Sequence, residues 1–231
     1  MCGESVRAVT DDQAAVVPLS PWVAGRRKRV LDLLVGSAVT VASAPLVAAL
    51  IVAATIDTKS FGLFRQQRVG KDGKLFTVFK VRTMGPSSND STVTVHGDHR
   101  ITRLGAVFRA YKLDEFPQFW NVARGTMSLV GPRPDVAGYL DTLEGADAQL
   151  LELRPGITGP ATLFFRDEEA LLAAQYDPVA YNDEIVWPRK VALNLAYARH
   201  GTLADDLRMV FLTLKASPDL LDTQLMRWKE V

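Results

Sequence analysis

Two adjacent carboxylates, Asp114 and Glu115, open the stretch LDEFPQFWNVARGTMSLVGPRP, and Arg133, set between Pro132 and Pro134, closes it. Neighbouring acids can coordinate a metal ion or attack an electrophile. A guanidinium braced by two prolines offers a planar fork to phosphate or carboxylate oxygens. Phe116, Phe119, Trp120 and Ala123 recur at i, i+3, i+4 and i+7, which predicts a helix with an apolar stripe packed on a core. Gly125 is its natural stop. Pro117 is tolerable only in the first turn, where its missing N–H is not needed. The carboxylates then fall at the helix N-terminus, where backbone dipoles favour negative charge. Together these features point to phosphate chemistry. The plainer alternatives are that Asp114 caps a helix and Arg133 serves a surface ion pair.

More cations stand around this stretch. After the tight-turn dipeptide Asp72-Gly73, LFTVFKVRTM (75–84) reads as a strand. With period two, Phe76, Val78, Lys80 and Arg82 share one face. Lys80 and Arg82 then lie about 7 Å apart, either bracketing an anion or solvated on an edge. Arg109 belongs to a basic segment with Arg103 and Lys112, in which Leu104, Val107, Phe108 and Tyr111 have helical spacing. That segment fits a membrane surface, substrate phosphates or an ordinary core helix equally well. Residues 85–97 read as a loop able to cover a site, and Arg154 to Gly159 as a compact turn able to approach phosphate.

The elements that position these residues follow from the rest of the chain. With 231 residues it holds one domain and an appendage. A net charge of +1 gives no field for nucleic acid, and one cysteine, Cys2, provides neither a disulfide framework nor a cysteine metal site. His96, His99 and His200 complete no ligand pattern. Residues 1–25 read as a disordered leader. Arg26 to Arg29 then precede 24 charge-free residues, Leu33 to Ile56, a helix of about 36 Å against a hydrocarbon core of about 30 Å. A cleaved signal is disfavoured, because Pro45 would follow the cut after Ala42-Ser43-Ala44. A spanning helix and a re-entrant helix-break-helix, broken at Ser43 and Pro45, both remain open. Cations on both flanks, with Lys59, Arg65, Arg68 and Lys71 following the block, give no polarity across the bilayer. The expected division is leader 1–25, re-entrant membrane helix 26–58 and catalytic domain 59–231. The fold class is mixed α/β (α+β), helix-rich, with a short β-hairpin. A helix is expected over Lys190 to Tyr197 and an amphipathic one over Leu203 to Leu214, with Leu207, Val210, Phe211 and Leu214 on its apolar face. Trp228 lies in a terminal segment able to touch a membrane.

FRQQRVGKDGKLFTVFKVRTM, DHRITRLGAVFRAYKLDEFPQFWNVARGTMSLVGPRP and RPGITG, followed by RDEEALLA and WPRKVALNLAY, together resemble the bacterial sugar transferase family, monotopic phosphoglycosyl transferases that load a polyprenol phosphate. The multi-helix N-terminal region of larger members is not seen, so the chain resembles the minimal form. The resemblance implies transfer of a sugar 1-phosphate from a UDP-sugar to undecaprenyl phosphate with release of UMP, initiating glycoconjugate (exopolysaccharide) assembly. It implies Asp114 as nucleophile, Glu115 as its partner, and Mg2+ held at Asp114. Arg133, Lys80, Arg82 and Arg109 become the expected phosphate contacts. It also implies a hairpin in the bacterial cytoplasmic membrane with the catalytic domain facing the cytoplasm and membrane lipid as a partner. A homodimer is left open as a further partner, since the oligomeric state is not legible. Two departures are visible: Ala44, not serine, precedes Pro45, with Ser43 one place earlier, and Thr126 replaces a common aspartate. A non-catalytic membrane scaffold and a metal-dependent phosphodiesterase are the competing functions. The sugar is not legible, since hydroxyl discrimination rests on a few loop hydrogen bonds.

Overall fold

In the computed structural model, residues 17–85 and 100–215 are described. The loop expected to cover the site lies almost wholly outside them, as do His96, His99 and Trp228. Residues 17–25, expected within the leader, are docked on the domain: the Ser20 amide donates to the Ala198 carbonyl at 2.8 Å and its hydroxyl to that of Gly201 at 2.5 Å.

The longest element is α1 (Arg26–Thr58), and Pro45 lies inside it without interrupting the helix. The expected two-arm division is therefore not marked by any residue that leaves helical backbone. Pro45 lacks the amide that would serve the carbonyl four residues back. Ser43 does not replace it, because its hydroxyl donates to Val39 O at 2.7 Å. Thr40, Thr55 and Thr58 return to carbonyls in the same way. These bonds hide the hydroxyls within a helix whose outer side chains, such as Val30, Leu34, Val41 and Ile56, are exposed.

β1 (Leu63–Val69) and β2 (Leu75–Val81) form the expected antiparallel hairpin, pairing Phe64 with Lys80 and Gln66 with Val78. Asp72 and Gly73 both take left-handed backbone (φ 58° and 70°), as the turn dipeptide requires. α2 (Arg103–Ala110) follows, with the Thr102 hydroxyl accepting from the Gly105 amide as N-cap. α3 (Gln118–Arg124) ends at Gly125, φ 90°. β3 (Ser128–Val130) and β4 (Gly156–Thr158) pair in parallel, joined by turns over the acidic connection. Four further helices come before the last: α4 (Pro160–Phe164), α5 (Glu168–Ala173), α6 (Pro178–Tyr181) and α7 (Trp187–His200). α8 (Leu203–Lys215) closes the described chain. The main core gathers Val69, Val130, Leu150, Tyr197, Met209 and Leu212 among others.

Two expected apolar stripes lie wholly or in part off this core. On α3 the buried side chains are Gln118, Asn121 and Val122, while Trp120 is half exposed. The reason is that α3 is gripped from two sides. Gly36 of α1 sits so close to it that a Cβ there would meet Val122 Cγ1 at 2.7 Å. Asn121 donates to Thr77 O (2.7 Å) and accepts from the Phe79 amide (3.3 Å), tying α3 to β2. On α8, Met209 and Leu212 are buried and Val210 of the expected face packs against the core, while Leu207, Phe211 and Leu214 are exposed.

A buried polar network ties α1 to α7 and α8. Lys28 Nζ lies 2.6 Å from Asp206, which also accepts from Trp22 Nε1 (3.0 Å) and Tyr197 OH (2.6 Å). Asp32 accepts from Ser128 Oγ (2.7 Å) and the Leu129 amide (3.1 Å).

The glycines of Gly131-Pro132-Arg133-Pro134 and Arg154 to Gly159 hold the arginine loop. The Gly131 amide donates to Thr158 O at 2.9 Å and the Gly156 amide to Pro132 O at 2.7 Å. A Cβ on Gly131 would meet the Arg154 carbonyl at 2.4 Å, and backbone has nowhere to yield. Gly131→Ala is therefore expected to destabilise the fold by about 2 kcal/mol or more, read as a lower denaturation midpoint.

Candidate active site

After α2, Lys112 turns the chain with left-handed backbone (φ 56°) into a single tight turn, Leu113–Glu115. Phe116 and Pro117 then continue in helical backbone into α3. The carboxylates thus sit in a turn just ahead of the helix rather than on its first residues, and Pro117 stands at the cap as its chemistry demands.

Glu115 is the hub of this turn. One of its oxygens, Oε1, accepts from Lys80 Nζ at 3.2 Å and from Arg133 Nη2 at 3.2 Å. Burial opposes charge on this carboxyl, yet Lys80 and then Arg133 outweigh it and hold its pKa at about 2. Asp114 next to it makes no hydrogen bond or ion pair with any described residue. Burial, then the Glu115 charge, push its carboxyl above the usual range, against the pull of Lys80, Arg109 and Lys112. Two adjacent acids are thus driven apart: one a fixed anion that orders cations, the other free, dehydrated and more basic.

The signs give a test. A carboxylate can act as a nucleophile only when ionised, so an activity that used Asp114 in that role would fall as pH drops through its raised pKa. Glu115→Gln removes the second cause of that rise and frees the charges of Lys80 and Arg133. The acid limb of the pH–rate profile is therefore expected to move to lower pH, with a reduced plateau.

Lys80 and Arg133 are brought together as expected. Arg82 is not: it donates to the Phe61 carbonyl at 2.9 Å and lies over the Phe64 ring at 5.6 Å. β2 ends at Val81, although the Arg82 amide still donates to Gly62 O at 2.7 Å, so it is the guanidinium's own partners that separate it from the Lys80–Arg133 clamp. Arg109 pairs with Glu169 at 2.5 Å and contributes to the site through its charge near Asp114. Behind Arg133 lie Asp135, whose carboxyl burial raises despite Lys190, Arg133 and Arg68, and Arg68, which donates to Pro134 O at 3.2 Å. Thr126 is at the far end of α3 from Asp114, where its hydroxyl donates to Asn121 O at 3.1 Å. The departure at this position therefore touches the α3 brace and not the carboxylate turn.

Mg2+ is held in phosphate-transfer sites by one or two carboxylates together with substrate phosphates and water. Asp114 has an unengaged carboxylate, and Glu115 Oε2 lies outside the Lys80–Arg133 clamp. Among the described residues no group of three His, Cys, Asp or Glu converges. This donor set fits an ion shared with phosphate oxygens and water better than a cage of three or more side chains.

A cleft adjoins the clamp, lined by the hairpin face (Phe64, Gln66, Arg68, Val78, Lys80) and by Gln118, Arg133, Pro134 and Gly156. Gln118 had no place in the apolar stripe and went unnoticed in the sequence. So did the Lys28–Asp206 network, although Asp32, one helical turn after Lys28 and beside an apolar block, was the available signal.

Comparison with known proteins gives the family. The sequence pattern of the family described as "Bacterial sugar transferase" matches residues 23–218. The UDP-glucose:undecaprenyl-phosphate glucose-1-phosphate transferase of Caulobacter vibrioides is 34% identical over 216 residues, which are 89% of this chain and 74% of that protein. The Escherichia coli protein of the same name is 32% identical over 194 residues, 81% of this chain but 39% of its own length. The Exopolysaccharide production protein ExoY of Rhizobium meliloti is 28% identical over 225 residues, covering 90% and 91%. The chain belongs to the bacterial sugar transferase family.

Proposed function

We propose that the protein transfers a sugar 1-phosphate from a UDP-sugar to undecaprenyl phosphate, releasing UMP, through a covalent phosphosugar on Asp114. The observation that carries this reading is the division of the carboxylates: Glu115 clamped by Lys80 and Arg133, Asp114 unengaged beside it. An Asp114 oxygen attacks the β-phosphorus, the bond from that phosphorus to the bridging oxygen breaks, and UMP leaves with the bond pair. An oxygen of the lipid phosphate then attacks the same phosphorus and returns the carboxylate. Lys80 and Arg133 offset the repulsion between anionic nucleophile and diphosphate. Glu115 keeps both cations in place, and Mg2+, when bound at Asp114, orients and neutralises the phosphates. Splitting the transfer in two lets a soluble donor and a lipid acceptor use one site in turn. In detergent with Mg2+, UMP release from a panel of UDP-sugars is expected to require undecaprenyl phosphate beyond the first turnover. Lipid-independent multiple turnover would favour a phosphodiesterase, and no release from any donor a scaffold. The same panel identifies the sugar.

The reading places α1 in the cytoplasmic leaflet as a re-entrant element bent at Pro45, with the site beside the head groups. Both sides of the apolar block bind the same domain, which supports it. Lys28 and Gly36 meet Asp206 and Val122, while Leu50 and Ala54 pack with Val81 and Phe108. From Gly36 to Leu50 the helix covers about 21 Å, short of a hydrocarbon core of about 30 Å. Exposed Val107, Tyr111, Trp120, Leu207 and Phe211 suit a body resting on lipid. Cysteines introduced one at a time at the exposed positions Arg27 and Lys59, in a chain with Cys2→Ser, are expected to resist an impermeant reagent in intact cells. Labelling of either one alone would favour a spanning helix.

A further inference from the structure

The cleft beside the clamp holds a polar side chain that the mechanism above does not use. Gln118 is 3% exposed and lines this cleft, and its carboxamide forms no hydrogen bond with any described residue. Asn121, one turn further on, has both ends of its amide engaged with Thr77 and Phe79. Gln66 and Arg68, also in the wall, bond to each other at 2.7 Å. The fully buried side-chain atoms without a partner among the described residues are Thr162 Oγ1, Arg166 Nη1 and Asn194 Oδ1. The Gln118 amide is not one of them and keeps contact with solvent at the cleft, so a ligand that displaces that solvent must replace its hydrogen bonds. Gln118 is thus a donor and an acceptor held open to whatever enters the cleft.

We propose that this cleft binds the nucleoside half of the donor, retained in the leaving UMP, and that Gln118 is a specificity residue contacting its uracil ring. The inference rests on the transfer reaction proposed above. In an in-line displacement the leaving group departs opposite the nucleophile. Lys80 and Arg133 both line the cleft and Asp114 does not, so a diphosphate held at the two cations has the cleft within reach of its leaving half. The walls suit a flat base: Phe64, Val78 and Pro134 are apolar, and the amide of Gln118 presents an N–H and a C=O side by side. The N3–H and O4 edge of uracil is the complementary pair.

The test uses the full chain in detergent and three probes measured by calorimetry: UMP, ribose 5-phosphate and glucose 1-phosphate. Gln118→Leu is expected to weaken UMP about tenfold, the worth of one or two hydrogen bonds, and to leave the other two unchanged. It is also expected to raise KM for the UDP-sugar more than it lowers kcat. Gln118→Glu, nearly the same shape, guards against misfolding of the leucine variant and is expected to weaken UMP at least as much. Unchanged UMP affinity in both variants overturns the proposal, as does selective loss of glucose 1-phosphate, which would give the cleft to the sugar. Equal weakening of UMP and ribose 5-phosphate overturns it too, by placing Gln118 on the phosphate. If wild-type protein binds UMP in this Gln118-dependent way but loads no lipid, the transfer reaction fails while the nucleotide cleft stands.

Discussion

Asp114→Asn is expected to lower lipid-dependent UMP release by about a thousandfold or more, the scale of losing a nucleophile, while the protein stays folded. The expected stability change makes this variant informative. Burial and the Glu115 charge raise the Asp114 carboxyl above its ordinary range, so at neutral pH its charged form is less favourable in the folded chain than in the unfolded one. Removing that charge therefore leaves the midpoint of thermal unfolding unchanged or raises it. Activity and stability should move in opposite directions, as at a site that stores strain for its chemistry. Near-normal turnover in the variant would remove Asp114 from the attack. A large drop in melting temperature would mean that the carboxylate is a structural cap instead.

The largest stability effect is expected from Asp206→Ala. That change leaves Lys28 buried, with Asp32 at 3.9 Å as its remaining acid among the described residues, and strips a hydrogen-bond partner from Trp22 and Tyr197. Breaking a buried ion pair from one side costs about 3–5 kcal/mol, because the remaining charge stays desolvated. Chemical denaturation in detergent should show a loss of that size. A second variant separates the lost pair from lost packing. Lys28→Met combined with Asp206→Leu removes both charges and keeps the volume filled, so it should recover much of the deficit. Failure of the double variant to recover would mean that the hydroxyl and indole bonds to Asp206, not the ion pair, fasten α1 to the domain.

The parts of the fold that were legible in the sequence share a local cause. Asp72-Gly73 specified a hairpin because two left-handed residues in succession suit a tight turn. Gly125 and Pro117 marked the ends of α3 because their backbone chemistry leaves few alternatives. The clamp residues Lys80 and Arg133 were legible from their types and from the motifs around them. What misled was periodicity. Helical spacing of apolar residues shows that a helix has an apolar face, not what that face touches. On α3 Trp120 turned outward while Gln118 and Asn121 are buried, and on α8 the stripe split, with Val210 against the core and Leu207, Phe211 and Leu214 exposed. Arg82 shared the strand period with Lys80, but its guanidinium is taken up by the Phe61 carbonyl and the Phe64 ring. The partners of Glu115, Lys28 and Gln118 are set by contacts across long stretches of chain, and no local pattern encodes those.

The most direct test is intact-protein mass spectrometry after mixing the wild-type chain with Mg2+ and an accepted UDP-sugar in the absence of any lipid acceptor. The expected result is a species heavier by one sugar phosphate, formed with about one equivalent of UMP, mapping by peptide digestion to Asp114, and discharged when undecaprenyl phosphate is added. UMP released with no adduct on the protein, or an adduct on a residue other than Asp114, would contradict the two-step attack at this carboxylate.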